Sequence, residues 1–327
     1  MDQDMFMTRY QRQMQLPEVG RDGQAKLARA HVLVVGTGGL GSPVLHYLAG
    51  AGVGSLTIVD PDCVEESNLH RQPLFETKDI GAFKAKRARD QLLARNPYIV
   101  VQSIAEALTP DNAESLVADA DIVVDAADSF AVSYILSDQC LAQKKPMISA
   151  SVLRQSGYAG GFCGGAPSLR AVFPDLPTQA ANCATAGVLG PVVGMIGAMQ
   201  AQMVLAVLLG QSPSPLGQMV RMDARNLSFS SFSFLGAVEP SAVWPFLGRA
   251  GVQRDDLVFD LRGEGEAPEM IMAQAQRWQF DGLAEADFPE DQRLVLACHT
   301  GLRAWRGAKQ LQAQGHKNLA LMAACAC

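Results

Sequence analysis

Four residues with phosphate-handling side chains, Asn68, Arg71, Gln72 and Lys84, fall within one stretch, "DPDCVEESNLHRQPLFETKDIGAFKAKRA". Upstream lies "GTGGLG", which supplies Gly36, Gly38, Gly39 and Gly41. Lacking Cβ atoms, such glycines let backbone N–H groups approach phosphate oxygens at a helix N-terminus. Asp60 follows the second apolar run, about 20 residues further on, where an acid typically holds a ribose hydroxyl. Loop and acid alone fit NAD as well as ATP. The Arg–Lys set separates the two. Hydride transfer does not need several cations beside the pyrophosphate turn. Nucleotidyl transfer does, because charge builds on the phosphate oxygens.

These side chains need rigid elements behind them. "HVLVVG" and "SLTIVD" are short apolar runs of the kind found in buried parallel strands. A helix is expected from near Gly41, and "KAKRARDQLLARN" is an amphipathic helix stopped by Asn96 and Pro97. "IVVQSIAEAL", "ADIVVDAAD" and "PMISASV" add strands. This alternation predicts an α/β fold: a doubly wound, Rossmann-like, mostly parallel sheet. "GQMVRMDARNLSFSSFSFLG" reads as late antiparallel strands. Polar helical text fills roughly Met5 to Ala28. A Pro/Gly-punctuated linker, 237–254, separates a unit of residues 1–236 from a small α/β unit of residues 255–327. In the latter, "DLVFDLR", "RLVLACHTG" and "KNLALMA" read as strands, and "MIMAQAQRWQF" and "RAWRGAKQLQAQG" as helices.

The 327-residue chain is 48% hydrophobic and 18% charged, with a formal net charge of −6. That supports a sizeable core and argues against nucleic acid or an anionic membrane as the main partner. Seven Cys at irregular spacing suit a reducing cytoplasm better than a disulfide framework. The polar N-terminus shows no apolar signal segment. The charge-free stretch from Ala186 to Gly210 is long enough to span a bilayer, but Gln200 and Gln202 sit inside it, so a buried helix is expected. Gly190 and Gly194 would allow close helix packing, including across a dimer.

"RYQRQMQLPEVGRDGQAKL", "GTGGLGSPVLHYLAGAGVGSLTIVDPD", "SNLHRQPLF", "DIGAFKA" and "NCATAGVLGPVVG", in this order, resemble the MoeB/ThiF family. These are bacterial relatives of ubiquitin-activating enzymes. The resemblance implies adenylation of the C-terminal glycine of a ubiquitin-like sulfur carrier protein, with ATP and magnesium. It places Gly36, Gly38, Gly39 and Gly41 in the nucleotide loop, Asp60 on the ribose, and Asn68, Arg71 and Lys84 on the phosphates. Gln72 joins the binding set. Arg12 would reach the phosphates from the partner subunit, which implies a homodimer. Asp128, in "DAADSF", would hold magnesium. The family usually follows this acid with Asn and a nearby Arg; here Ser129 and Ser133 stand in their places.

Relatives often bind a structural zinc through two CxxC pairs. Here the corresponding stretches read "PSLRAVFP" and "EPSAVWP", without Cys, so no structural zinc is expected and packing alone should hold the region. Cys183 resembles the family's loop cysteine that bonds to the carrier through sulfur. Cys298, in "LVLACHTGLRAWRGAKQL", resembles a rhodanese active loop, where backbone N–H groups face one sulfur. Ala304 replaces the common Ser, and the closing glycines are missing, so an inactive unit is the competing expectation. Cys63 and Cys140 read as packing residues, and His70 as either a site-lining or a solvent residue. The function expected is carrier adenylation followed by sulfur transfer to a thiocarboxylate, with a sulfur donor such as a cysteine desulfurase. Two rivals are a catalytically impaired carrier-binding scaffold and an NAD-dependent oxidoreductase.

Overall fold

The computed structural model describes residues 3–176, 187–285, 288–289 and 291–324. Its main sheet has eight strands: β1 (His31–Val35), β2 (Ser55–Val59), β3 (Val100–Ile104), β4 (Ile122–Asp125), β5 (Pro146–Leu153), β6 (Ser156–Cys163), β7 (Gln218–Asp223) and β8 (Ser228–Ser233). They lie in the order β3-β2-β1-β4-β5-β6-β7-β8. The first five are parallel, and β6 to β8 extend the sheet antiparallel. The period-2 pleat of β1 explains its unbroken apolar text. Val32 and Val34 enter one hydrophobic cluster, with Leu45, Leu92 and Ile196. Leu33 and Val35 enter the other, with Val117 and Leu136. Each such side chain, fully buried, contributes about 1.5–3 kcal/mol.

The N-terminal polar text forms two helices, α1 (Gln3–Met14) and α2 (Gly20–Arg29), rather than one. Pro17 and Gly20, at φ +54°, explain the break. Buried Tyr10 anchors α1: Asn96 Nδ2 donates to its hydroxyl at 2.8 Å and to the Ala49 carbonyl at 2.7 Å. One sheet face is covered by α3 (Gly41–Ala51) and α4 (Lys84–Arg95), the other by α5 (Pro110–Asp119) and α6 (Phe130–Ala142). A short α7 (Leu169–Val172) precedes α8 (Gly190–Leu209). By length and apolarity α8 could cross a membrane. It lies instead against α3 and the sheet, burying Val192, Ile196, Gln200 and Val204. A Cβ on Gly197 would sit 2.7 Å from the Leu40 carbonyl, so Gly197 permits the α3–α8 crossing. Gly190 faces the His70 carbonyl within the same chain, and Gly194 meets open space.

The second sheet contains β9 (Leu257–Asp260), β10 (Gln276–Arg277), β11 (Leu294–Cys298) and β12 (Leu319–Ala323), ordered β10-β9-β11-β12 and all parallel. Helix α9 (Leu302–Ala313) follows β11. The stretch "MIMAQAQRWQF" is not a helix. Ile271 N–H donates to the Asp260 carboxylate at 2.9 Å and Trp278 N–H to the Asp260 carbonyl at 3.0 Å, which draws the stretch along the sheet edge. The 237–254 stretch is also packed. Leu247 N–H donates to the Leu321 carbonyl at 2.8 Å, beside β12. One hydrophobic cluster runs from Ala131 and Leu136 of α6 through Phe246 to Phe259, Cys298 and Trp305.

Candidate active site

A cavity of about 550 Å³ opens at the carboxyl ends of the parallel strands. Strand order reverses between β1 and β4, which is where such sheets leave a crevice. Its walls include Gly36, Gly38, Gly39, Asp60, Asn68, Arg71, Gln72, Lys84 and Asp128. Gly36 ends β1 at φ +94°, and a Cβ there would lie 2.6 Å from the Ala126 carbonyl. Gly41 has a different part. Its absent Cβ would sit 2.0 Å from the Gly36 carbonyl, so it allows α3 to start against the loop rather than lining the cavity.

Asp60 is 5% exposed, and its carboxylate is already engaged. Thr37 donates to Oδ2 from its backbone N–H and its hydroxyl, each at 2.6 Å. Asp62 N–H donates to Oδ1 at 2.9 Å. Burial pushes the Asp60 carboxyl up, opposed by the Thr37 hydrogen bonds and the Lys84 charge. Lys84 is 6% exposed, and its ammonium lies 2.7 Å from Asp62 Oδ2. Residues 62–64 and 81–84 are zipped by Lys84 N–H to the Asp62 carbonyl at 2.8 Å and Val64 N–H to the Ala82 carbonyl at 2.9 Å. Arg71 Nη1 donates to the Ser67 carbonyl at 3.0 Å and lies 2.9 Å from His70 Nε2. His70 is exposed and absent from the cavity wall. Buried Gln72 has an amide oxygen without a hydrogen-bond partner. Left so it costs about 1–3 kcal/mol, which a ligand or water would relieve.

The cavity continues past Asp128 into a lobe with Ser129, Ser133, Tyr134, Tyr158, Phe173 and Asp175. The Tyr134 hydroxyl donates to the Phe173 carbonyl at 2.5 Å, and burial pushes its pKa up to about 12. The Phe173 ring stacks on Tyr158 with centroids 5.5 Å apart. Beneath lies fully buried Asp125, which accepts from the Ser149 hydroxyl at 2.7 Å. Burial raises its pKa to about 6, with the Asp128 charge adding a little. From α8, Gln200 Nε2 donates to the Asp125 carbonyl at 2.6 Å and to the Ile148 carbonyl at 3.1 Å, bridging β4 and β5.

The cavity is not cationic overall, contrary to what Arg71 and Lys84 suggest by themselves. Its described lining carries two bases, Arg71 and Lys84, against five acids, Asp60, Asp62, Glu65, Asp128 and Asp175: a formal −3. A triphosphate therefore needs further positive charge. Arg12 is exposed on α1 and does not line this chain's own cavity. Asp128 is an exposed carboxylate on the cavity wall. Among the described residues no group of three or more His, Cys, Asp or Glu could hold a metal. The donor set fits an ion that shares one carboxylate with phosphates and water, which is how magnesium binds.

Cys183 lies outside the described residues. Cys298 ends β11 at 2% exposure, away from the cavity wall. Gly301 and Ala304 N–H groups donate to its sulfur at 3.2 and 3.3 Å, a setting suited to a sulfur anion. A Cβ on Gly301 would lie 2.6 Å from the Phe246 ring and 3.5 Å from Ala131 Cβ, so the sulfur loop is pressed against α6. Cys140 is buried, but Cys63 is exposed: the zipped 62–64 segment runs along the surface. Where packing alone was expected, a polar clip is found. Glu239 accepts from Ser168 N–H at 2.7 Å and from its hydroxyl at 2.5 Å. Thr37, Asp62 and Asp125 were legible only as neighbours of the glycines and of Asp60 and Asp128. Tyr158, Phe173 and Asp175 carry no motif.

The family model described as the ThiF family matches residues 10–240. The chain belongs to the ThiF family. It is 42% identical over 233 residues to the adenylyltransferase and sulfurtransferase MOCS3 of Culex quinquefasciatus, covering 70% of this chain and 53% of that one. It is 41% identical over 231 residues to the sulfur carrier protein adenylyltransferase of Thermus thermophilus, covering 68% and 85%. This ThiF-family chain spans about half the length of the first curated relatives it matches. Among solved structures it resembles Escherichia coli MccB with MccA-N7isoASN, at TM-score 0.61 and 25% identity over 69% of this chain and 71% of that one. The same enzyme solved with ATP aligns at TM-score 0.58 and 23% identity, over 68% and 72%, which speaks for the fold.

Proposed function

We propose that this chain binds ATP in the cavity and adenylates the C-terminal glycine carboxylate of a ubiquitin-like sulfur carrier protein. The observation that carries the reading is one continuous cavity, with a glycine turn, Arg71 and Lys84 on one side and a lobe past Asp128 on the other. Backbone N–H groups near Gly38 and Gly39 cradle the phosphates, with Asn68, Gln72, Arg71 and Lys84 around them. Asp60, held by Thr37, keeps acceptor capacity for a ribose hydroxyl. The carrier carboxylate attacks the α-phosphorus from the far lobe. An acyl–phosphate bond forms, the bond to the bridging oxygen breaks, and pyrophosphate leaves with that electron pair. Magnesium, with Asp128 as protein ligand, would supply the charge neutralisation that the acidic lining lacks. Arg12 from the partner of a homodimer adds to it.

In the sulfur step, a persulfide on Cys298 attacks the acyl carbon and AMP leaves. Cys183 then attacks the resulting acyl disulfide, releasing the thiocarboxylate and leaving a Cys183–Cys298 disulfide for a cellular thiol to reduce. A cysteine desulfurase is the class of donor that loads Cys298. The units are residues 1–236 and 255–327, joined by 237–254, in a cytoplasmic enzyme. Burial of Cys298 favours a second reading: adenylation here, with sulfur delivered elsewhere. Family membership supports either reading over NAD-dependent redox chemistry.

The test mixes the protein with MgATP and candidate carriers. ATP–pyrophosphate exchange that is lost in Arg71→Ala and Lys84→Ala supports adenylation. Exchange unchanged in both variants overturns it. Mass spectrometry of the carrier then reports an oxygen-to-sulfur replacement, and its absence with a desulfurase present favours the second reading.

A further inference from the structure

We propose that Asp62 is a positioning residue that holds Lys84 and offsets its charge, so that the site releases pyrophosphate instead of retaining it. The inference rests on the ATP reading above and adds a residue to it. Asp62 grips residue 84 twice, by its carbonyl on the backbone N–H at 2.8 Å and by its carboxylate on the ammonium at 2.7 Å. It is itself held by Asp60, through its N–H at 2.9 Å, and Asp60 is held by the glycine loop through Thr37. A chain of hydrogen bonds thus fixes the ammonium relative to the phosphate cradle. The two partners differ in exposure. The Lys84 side chain is 8% exposed and that of Asp62 55%. Lys84 has donors to spare and can bond a phosphate without leaving Asp62. The phosphate then meets a carboxylate close behind the cation.

That carboxylate costs affinity for every anion at Lys84, most for the most highly charged one. Pyrophosphate released by the adenylyl transfer bears more charge at this position than the β- and γ-phosphates of bound ATP, because cleavage leaves one more oxygen anion on it. Asp62 therefore weakens product binding, within a lining that carries four further acids, Asp60, Glu65, Asp128 and Asp175. Asp62→Asn keeps an acceptor for the ammonium and removes the charge. Asp62→Ala removes both, and Asp62→Glu restores the charge on a longer stem.

The experiment is calorimetric titration of the full chain with MgATP and with magnesium pyrophosphate, at low and high salt, for wild type and the three variants. Asp62→Asn is expected to bind pyrophosphate roughly tenfold tighter, as one unit charge removed near the phosphate implies, with a smaller gain for ATP. The gain shrinks at high salt. Asp62→Ala binds both ligands more weakly, since Lys84 loses its hold, and Asp62→Glu returns toward wild type. Pyrophosphate binding to Asp62→Asn that is equal to or weaker than wild type, with ATP still bound by wild type, overturns this inference alone. No ATP binding by the wild-type protein overturns the nucleotide reading and this inference with it. A purely structural role would lower Tm in all variants without tightening any ligand.

Discussion

Removing the Phe246 ring should unmask Cys298. The sulfur is 2% exposed, and Phe246, itself 7% exposed, is pressed onto the turn that follows it. In this closed arrangement, alkylation requires the sulfur loop to part from α6 and from Phe246. Truncating a buried Phe to Ala costs about 3–5 kcal/mol. If that cost falls on the docked arrangement, the open fraction rises by roughly two to four orders of magnitude. If part of it falls on global stability, the gain is smaller but keeps its direction. Exposed Cys63 gives an internal reference in the same sample. The assay is a short iodoacetamide pulse followed by peptide mass spectrometry, reported as the ratio of Cys298 to Cys63 labelling. In the wild type the ratio should be far below one, and Phe246→Ala should raise it at least tenfold while melting remains cooperative. Near-equal labelling of the two thiols in the native protein would refute the occlusion. So would a Phe246→Ala variant with an unchanged ratio.

Three other outcomes are expected. Asp125 has a folded-state pKa of about 6, above its unfolded value of about 3.9, so its contribution to stability falls as pH rises between those values. Asp125→Asn should therefore gain about 2–3 kcal/mol relative to wild type between pH 4 and pH 7, read as a Tm difference that grows with pH; a difference independent of pH would count against the burial argument. Gly41→Ala puts a methyl group 2.0 Å from the Gly36 carbonyl, so it should abolish ATP binding by calorimetry while the far-UV spectrum is retained; normal binding would mean that α3 can retreat freely. Arg12→Ala and Lys84→Ala, each inactive alone, should recover about a quarter of wild-type exchange activity when mixed, since half of the dimers become mixed and each holds one intact site. No recovery after subunit exchange would place Arg12 in its own chain's site or outside the chemistry.

The sheet was legible because its chemistry is local. In β1 the apolar run, the glycine turn and the following helix start all lie within one short segment, and each constrains the next. Asn68, Arg71, Gln72 and Lys84 were legible for the same reason, being gathered between β2 and α4. What escaped was set by distant partners. The stretch around Ile271 has helix-forming text, yet two hydrogen bonds to Asp260 take it along a sheet edge. Ser168 and Glu239 lie 71 residues apart, and no local pattern predicts that they form a clip where sulfur ligands are missing. The occlusion of Cys298 depends on Phe246 and Ala131, which the fold alone brings to it.

The charge of the cavity is the clearest case of a property that a motif conceals. Motif reading selects the bases, because they touch phosphate, and passes over the acids that hold them. Here each cation is tied down before any nucleotide arrives: Lys84 by Asp62, and Arg71 by the Ser67 carbonyl beside the His70 ring. Fixed donors lose little entropy on binding, which favours transition-state stabilisation over tight ground-state binding. An acidic surround would also make the proposed adenylation conditional. At a formal −3 the described lining repels a triphosphate; on the proposed reading, a divalent cation and the partner's Arg12 would bring it to about zero. On that reading assembly and metal are prerequisites for the same step, so ATP affinity should depend on protein concentration in the range where subunits associate. An affinity independent of dilution across that range would mean that each chain completes its own phosphate site.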